Sequence, residues 1–142
     1  MTMFLLLGAS ASRSLAAGAE VDPTTLYDLK TDESSGKIKA GSKGTFVLVI
    51  KTKNGSHVSD ETPLKLELSG ERLKLEKQKL TYADSVTRKS ALARYPDPRF
   101  EVSFTGDTPG KTAVDANLTF FICTEQVCAR QVKKLHIPVN VD

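Results

Sequence analysis

Tryptophan is absent from these 142 residues, and histidine and cysteine occur only twice each. Without tryptophan the chain cannot build the Trp-on-disulfide core of an antibody-type domain. Histidines 57 and 136 stand in no recognisable ligand spacing, so a four-ligand structural zinc site finds no pattern here. A nucleophile elbow, paired carboxylates and a true phosphate loop are also missing. Gly110-Lys111-Thr112 imitates only the ending of a phosphate loop, and it opens a strand rather than a helix. Beyond the first residues no run of about 18 apolar residues occurs, so nothing in the mature chain reads as a membrane span. The charge is nearly balanced, with Lys+Arg 20 against Asp+Glu 17 and a net +3. Basic residues are scattered, as in the Arg72–Lys79 stretch, without the interleaved aromatics of a nucleic-acid stacking surface. They read as solvated strand faces.

What is present begins with a leader. Met3-Phe4-Leu5-Leu6-Leu7-Gly8-Ala9 is a short apolar run, and Ala17-Gly18-Ala19 makes an A-x-A cleavage site before Glu20. A basic n-region is missing, since the first arginine is Arg13. Residues 1–19 are therefore expected to be an export signal, with a disordered tail as the alternative. Residues 20–142 have the length of one domain. Export would put that domain in the periplasm or outside the cell, where a disulfide persists.

The body reads as short β-rich runs separated by turn residues. Expected strands are Leu26–Lys30, Lys37–Ala40, Gly44–Lys51, Leu64–Leu68, Leu73–Glu76 and Phe100–Phe104, then two long arms near the C-terminus. Asn54-Gly55 and Ser69-Gly70 mark turns, and Gly106–Gly110 closes the Phe100 strand. Ala83–Pro98 breaks the rhythm. Asp84 could cap a short helical turn through Ala91–Ala93 that Pro96 and Pro98 end, or the segment could be a surface loop. Seven or eight strands at this spacing predict an all-β chain, an antiparallel immunoglobulin-like β-sandwich with a C-terminal cysteine hairpin.

Both cysteines lie in Phe120-Phe121-Ile122-Cys123-Thr124-Glu125-Gln126-Val127-Cys128-Ala129-Arg130. Upstream, Val114, Ala116, Leu118, Phe120 and Ile122 alternate with Ala113, Asp115, Asn117, Thr119 and Phe121; downstream, Leu135, Ile137, Val139 and Val141 alternate with His136, Pro138 and Asn140. If the even positions before the turn and the odd ones after it face the core, Cys123 and Cys128 point outward together. A thiol pair on an outer hairpin face is one that a partner could reach. A bridge over so short a loop contributes roughly 2 kcal/mol before strain. Opposed strand residues have Cβ atoms about 4.5–5.5 Å apart, wider than the ~3.8 Å of a relaxed bridge. Two readings stay open at this point: an exchangeable pair, or a staple that pins the turn. Phe121, two before Cys123 and opposite Arg130 in the simplest register, could shield the pair or dock a partner, or pack under the 83–98 loop. Tyr95, within that loop, is the other aromatic that could cover it. Two thiolates with His136, on the same outward face, or His57 would offer soft ligands for Cu(I) or zinc. A solvated strand histidine is the plainer reading of His136, and no cofactor or metal is expected.

Phe100–Thr105, Leu118–Cys123 to Cys128, and Lys133–Val139 together resemble the C-terminal half of the periplasmic N-terminal domain of DsbD-type thiol:disulfide interchange proteins. That family places a redox cysteine pair on a hairpin of an immunoglobulin-like sandwich, takes electrons from a membrane domain and reduces thioredoxin-like partners. The resemblance implies redox roles for Cys123 and Cys128 and a thioredoxin-like or other thiol protein as partner. Departures are the four-residue spacing, where the family usually has five, and Ala129-Arg130-Gln131 where it often has a proline pair. The chain stops at Asp142 with no membrane conduit or C-x-x-C module following, so a free-standing relative is expected. The reading is thus an exported domain passing electrons to or from thiol partners through Cys123 and Cys128. Its alternative is a non-catalytic binding or accessory domain with a structural hairpin disulfide.

Overall fold

A computed structural model describes Val21–Asp142; the expected leader, residues 1–19, lies outside the described residues. Period-two alternation of apolar and polar residues becomes two facing sheets. One contains β1 (Tyr27–Lys30), β3 (Lys43–Thr52), β8 (Arg99–Thr105) and β6 (Lys74–Leu75), in the order β1-β3-β8-β6. The other runs β2 (Lys37–Ile38), β10 (Cys128–Val141), β9 (Gly110–Cys123), β5 (Lys65–Ser69), β7 (Lys79–Leu80), with β4 (His57–Val58) also paired to β9. The expected all-β sandwich is the observed one. Four of its strands, β2, β4, β6 and β7, are only two residues long, and β4 and β7 have no counterpart among the expected strands. One pair departs from the antiparallel pattern, since Asn140 and Val141 of β10 pair in parallel with Lys37 and Ile38.

Between the sheets, the alternating inner positions interlock. Phe46, Leu48 and Ile50 of β3 and Phe100 and Phe104 of β8 face Leu66 of β5 and Val114, Leu118, Phe120 and Ile122 of β9, all almost fully buried. Each such side chain contributes about 1.5–3 kcal/mol on leaving water. Gly44 shows how tight this layer is. It opens the expected third strand within β3, and a Cβ there would meet Phe104 Cζ at 2.7 Å and Ile38 Cγ2 at 2.8 Å. Where β1 does not reach along β3, Ser34 substitutes for a strand: its Oγ accepts from the Val47 N–H at 2.8 Å and donates to the Val47 carbonyl at 3.0 Å.

Turn chemistry steers the chain between layers. Asn54 and Gly55 both have positive φ (58° and 72°), and this turn carries the chain from β3 in the first sheet to β4 in the second. The helical turn expected at Ala91–Ala93 instead lies earlier, as a 3-10 turn over Tyr82–Asp84. Asp84 closes its capping box, accepting from the Thr81 N–H at 2.8 Å, rather than opening a helix as N-cap. Ser90 and Ala93 close a tight turn by paired backbone bonds, and Leu92 at its tip is fully exposed. No residue from 85 to 98 is helical, so this segment is the loop of the two alternatives.

Two substitutions test this packing. Gly44→Ala should destabilise by about 1–3 kcal/mol through overpacking, against the usual gain from removing a strand glycine, as read by denaturant unfolding. Tyr27 is buried, edge-on to Phe120 (centroids 4.9 Å apart), and its hydroxyl donates to Gln131 Oε1 at 2.8 Å. Tyr27→Phe should cost about 1–3 kcal/mol by leaving that acceptor unsatisfied. Burial pushes the Tyr27 hydroxyl above the ordinary phenol value of 10.0, because the folded state favours the neutral form. That contribution is present below the ordinary value and is lost as pH rises through the raised one. Unfolding curves between pH 9 and 11.5 should therefore fall more steeply for the parent than for Tyr27→Phe.

Candidate functional site

The site grows from one hairpin. β9 and β10 oppose each other without a slip from Gly110↔Val141 to Cys123↔Cys128. Inside it the expected faces hold: Leu118, Phe120 and Ile122 are buried inward, with Ala129, Leu135 and Ile137 packed against the same core. Cys123 and Cys128 stand directly opposed at the last rung, on the outer face, joined as a disulfide with Cα atoms 4.0 Å apart. The next pair out, Thr124 and Val127, is closed by a Thr124 N–H to Val127 carbonyl bond of 2.8 Å. Hydrogen-bonded and non-hydrogen-bonded pairs alternate along an antiparallel ladder, so the cysteines occupy a non-hydrogen-bonded site, where side chains are closest. Thr124 Oγ1 also accepts from the N–H groups of Gln126 and Val127, both at 3.3 Å. The turn is held without the positive φ values that a two-residue hairpin turn usually needs.

The two sulfur-bearing residues are not equivalent. Cys128 is exposed, whereas Cys123 is only 3% exposed although it lies outside the hydrophobic core cluster. Burial of an outward residue requires local cover. On the side away from Cys128, β4 pairs with the end of β9 and sets His57 opposite Cys123. The His57 ring stacks on Tyr95, with centroids 4.0 Å apart and planes 21° apart. Beyond it, Lys89 forms an ion pair with Asp60, and this bond from Lys89 holds the Asp60 carboxyl below its ordinary range. Arg94 lies over the Tyr95 ring, 5.4 Å from its centroid. The 85–98 loop is thus fastened onto β4 by one aromatic stack and one ion pair.

The residues singled out in the sequence take these places. Phe121 is half-buried on the outer face and opposes Arg130, as the simplest register predicts. Its carbonyl accepts from the Ser59 N–H at 2.9 Å, so the chain following β4 runs along one side and Arg130, exposed, along the other. Tyr95 comes to the site through His57. His136 does not join the cysteines: it lies eight rungs away, about 27 Å along the hairpin, with Nδ1 2.6 Å from Asp115 Oδ1. A soft-metal set of two thiolates with His136 is therefore not assembled, and both sulfurs are engaged with each other. Sequence reasoning weighed His57 only as a metal ligand and missed its place beside Cys123. The only local signal, a two-residue strand after Asn54-Gly55, is too short to show a period.

Chemically, this is a two-sheet β-sandwich that ends in an edge hairpin bearing one reducible bond, with an exposed sulfur residue on one strand and a covered one on the other. No family model matches the chain, and no curated protein matches it. Among solved structures it is similar to domains 4 and 5 of the S-layer protein SbsC, at 15% identity and a TM-score of 0.42 over 82% of this chain and 51% of that one. It is likewise similar to domains 5–6 of the same protein, at 15% identity and a TM-score of 0.40, covering 82% of this chain and 45% of that one. The chain thus spans about half the length of these structures. Among the described residues no helix is long and apolar enough to cross a membrane.

Removing the Tyr95 ring should loosen the cover without disturbing the hairpin. Tyr95→Ala is expected to cost about 1 kcal/mol. Hydrogen exchange read by mass spectrometry should speed up across residues 85–97 while the β9–β10 amides keep their protection.

Proposed function

We propose that the protein is an exported thiol-disulfide exchange domain of the DsbD N-terminal type, passing electrons to or from thiol partners through Cys123 and Cys128. The observation that carries this reading is the position of the bridge: on the outer face of the last hairpin rung, with Cys128 exposed. A partner thiolate attacks the Cys128 sulfur in line with the S–S bond. That bond breaks, its electron pair leaves on the Cys123 sulfur, and a mixed disulfide joins the partner to Cys128. A second partner thiolate then attacks the partner's own sulfur in the mixed disulfide and releases Cys128 as a thiolate. The partner dithiol is oxidised by two electrons and the protein's cystine is reduced. A thioredoxin-like dithiol protein in an oxidising compartment supplies this chemistry. No further cofactor takes part.

The backbone beside Cys128 supports such access. β2 pairs with β10 only at Asn140 and Val141, and among the described residues no other strand pairs with that edge from Cys128 to Val139. A pure staple has little left to hold here. The hairpin register is already specified by thirteen further rungs and by the bonds of Thr124. The burial of Cys123 favours the competing reading, a structural bridge in a binding or accessory domain.

Cysteine variants separate the two. Replacing both Cys123 and Cys128 with Ser should lower stability by at most about 2 kcal/mol, because the closed loop is short. Cys123→Ser, which leaves the exposed thiol, should capture a thiol protein as a mixed disulfide on non-reducing gels of its host. Cys128→Ser should capture less, since its remaining thiol is covered. A double variant that fails to fold, or a Cys123→Ser variant that captures nothing while folding well, would return the bridge to a structural role. The reduction potential gives a second check: a structural bridge falls below about −300 mV, an exchanger above it.

A further inference from the structure

The same ladder that opposes the cysteines brings a third side chain into line with them. His57 of β4 is opposite Cys123, and Cys123 is opposite Cys128. Opposed residues of neighbouring strands point to one face with Cβ atoms about 4.5–5.5 Å apart. His57, Cys123 and Cys128 therefore form a row across the outer face, with the buried sulfur residue in the middle. The Tyr95 stack covers a face of the imidazole and leaves its nitrogen-bearing edge in the plane of the ring. Of the charged groups packed around His57, Asp60 and Lys89 neutralise each other in their ion pair, and Arg94 is drawn over the Tyr95 ring. Tyr82, beneath the same loop, is kept neutral by burial, which raises its hydroxyl. From the hairpin, Arg130 shares the outer face two residues beyond Cys128. Among these groups the imidazole is the one that stands in the row with both cysteines.

We propose that His57 is a positioning residue that makes Cys123 the leaving sulfur of the exchange. This rests on the exchange reading and adds to it the direction of attack and a pH dependence. When a thiolate attacks the Cys128 sulfur, the electron pair of the broken S–S bond collects on the Cys123 sulfur, next to the imidazolium. A cation there lowers the proton affinity of the departing thiolate, and a leaving thiolate of lower pKa departs faster. The reverse attack, on Cys123 with Cys128 leaving, meets a covered sulfur residue and sends the charge away from the imidazolium. Burial and electrostatics thus favour the same sulfur as leaving group.

The test uses the whole protein and dithiothreitol, with the extent of reduction read by acid quench, alkylation and mass. Dividing the parent rate by a variant rate at each pH removes the ionisation of the reagent. His57→Phe keeps a ring for Tyr95 to stack on and loses the charge. The parent should outpace it roughly tenfold near pH 5.5 and match it near pH 8.5. His57→Lys, which keeps a cation at both pH values, should match the parent at the lower pH and exceed it at the higher by a similar factor. A ratio of one throughout for His57→Phe, or a constant deficit at every pH, overturns the assignment. So does a lysine variant no faster than the parent near pH 8.5, which keeps the idea falsifiable even where the phenylalanine variant folds poorly. Dithiothreitol reads the cystine without any physiological partner, so failure here is distinct from failure of the Cys123→Ser capture.

Discussion

The antiparallel ladder between β9 and β10 is the member on which the rest of this structure depends. It joins two fourteen-residue strands through a turn of four residues, so most of its backbone bonds form at a small cost in loop closure. Everything else in its sheet is added to it: β4 and β5 on the free side of β9, β7 beyond β5, and β2 at the far end of β10. Its inner face supplies Val114, Leu118, Phe120 and Ile122, the wall against which Phe46, Phe100 and Phe104 of the other sheet pack. A one-residue slip would turn those side chains to water and the cysteines into the core. Register, core and site are therefore one constraint.

That constraint explains how a reducible bond can sit outside the core and still be guarded. The cysteines occupy the last rung before the turn, where the ladder sets them directly opposite each other. Below them the core is complete without either sulfur. Beside Cys123 stands a different part of the chain, the β4 segment, to which the 85–98 loop is fastened by the His57–Tyr95 stack and the Lys89–Asp60 pair. A solvent-screened ion pair and a single aromatic stack contribute little beside a fourteen-rung ladder. The loop is thus weakly held compared with the hairpin beside it.

Much of this was legible in the amino-acid order, because it rests on local periodicity. Alternation through Val114–Ile122 and Leu135–Val141 named the inner and outer faces. The same period opposed Phe121 to Arg130 and put both cysteines on the outer side. Asn54-Gly55 declared a turn because both residues tolerate positive φ, and the structure uses both. Asp84 was recognised as a capping residue but assigned to the wrong end of its turn. A carboxylate can close a capping box from the third position as readily as it can open a helix, and propensity alone does not choose between them.

The sequence by itself determined the longer strands, their faces and the presence of a cysteine hairpin, since each follows from contacts between residues near in the chain or from a period of two. Only the tertiary structure decided what lies beside Cys123. His57 arrives there on a two-residue strand sixty-six positions earlier, and Tyr95 on a loop with no period at all. Tertiary structure likewise separated His136 from the cysteines despite their common face, because a shared face says nothing of distance along a long hairpin. The pairing of short segments far apart in sequence depends on how the sheets close around the core, and no local pattern records it.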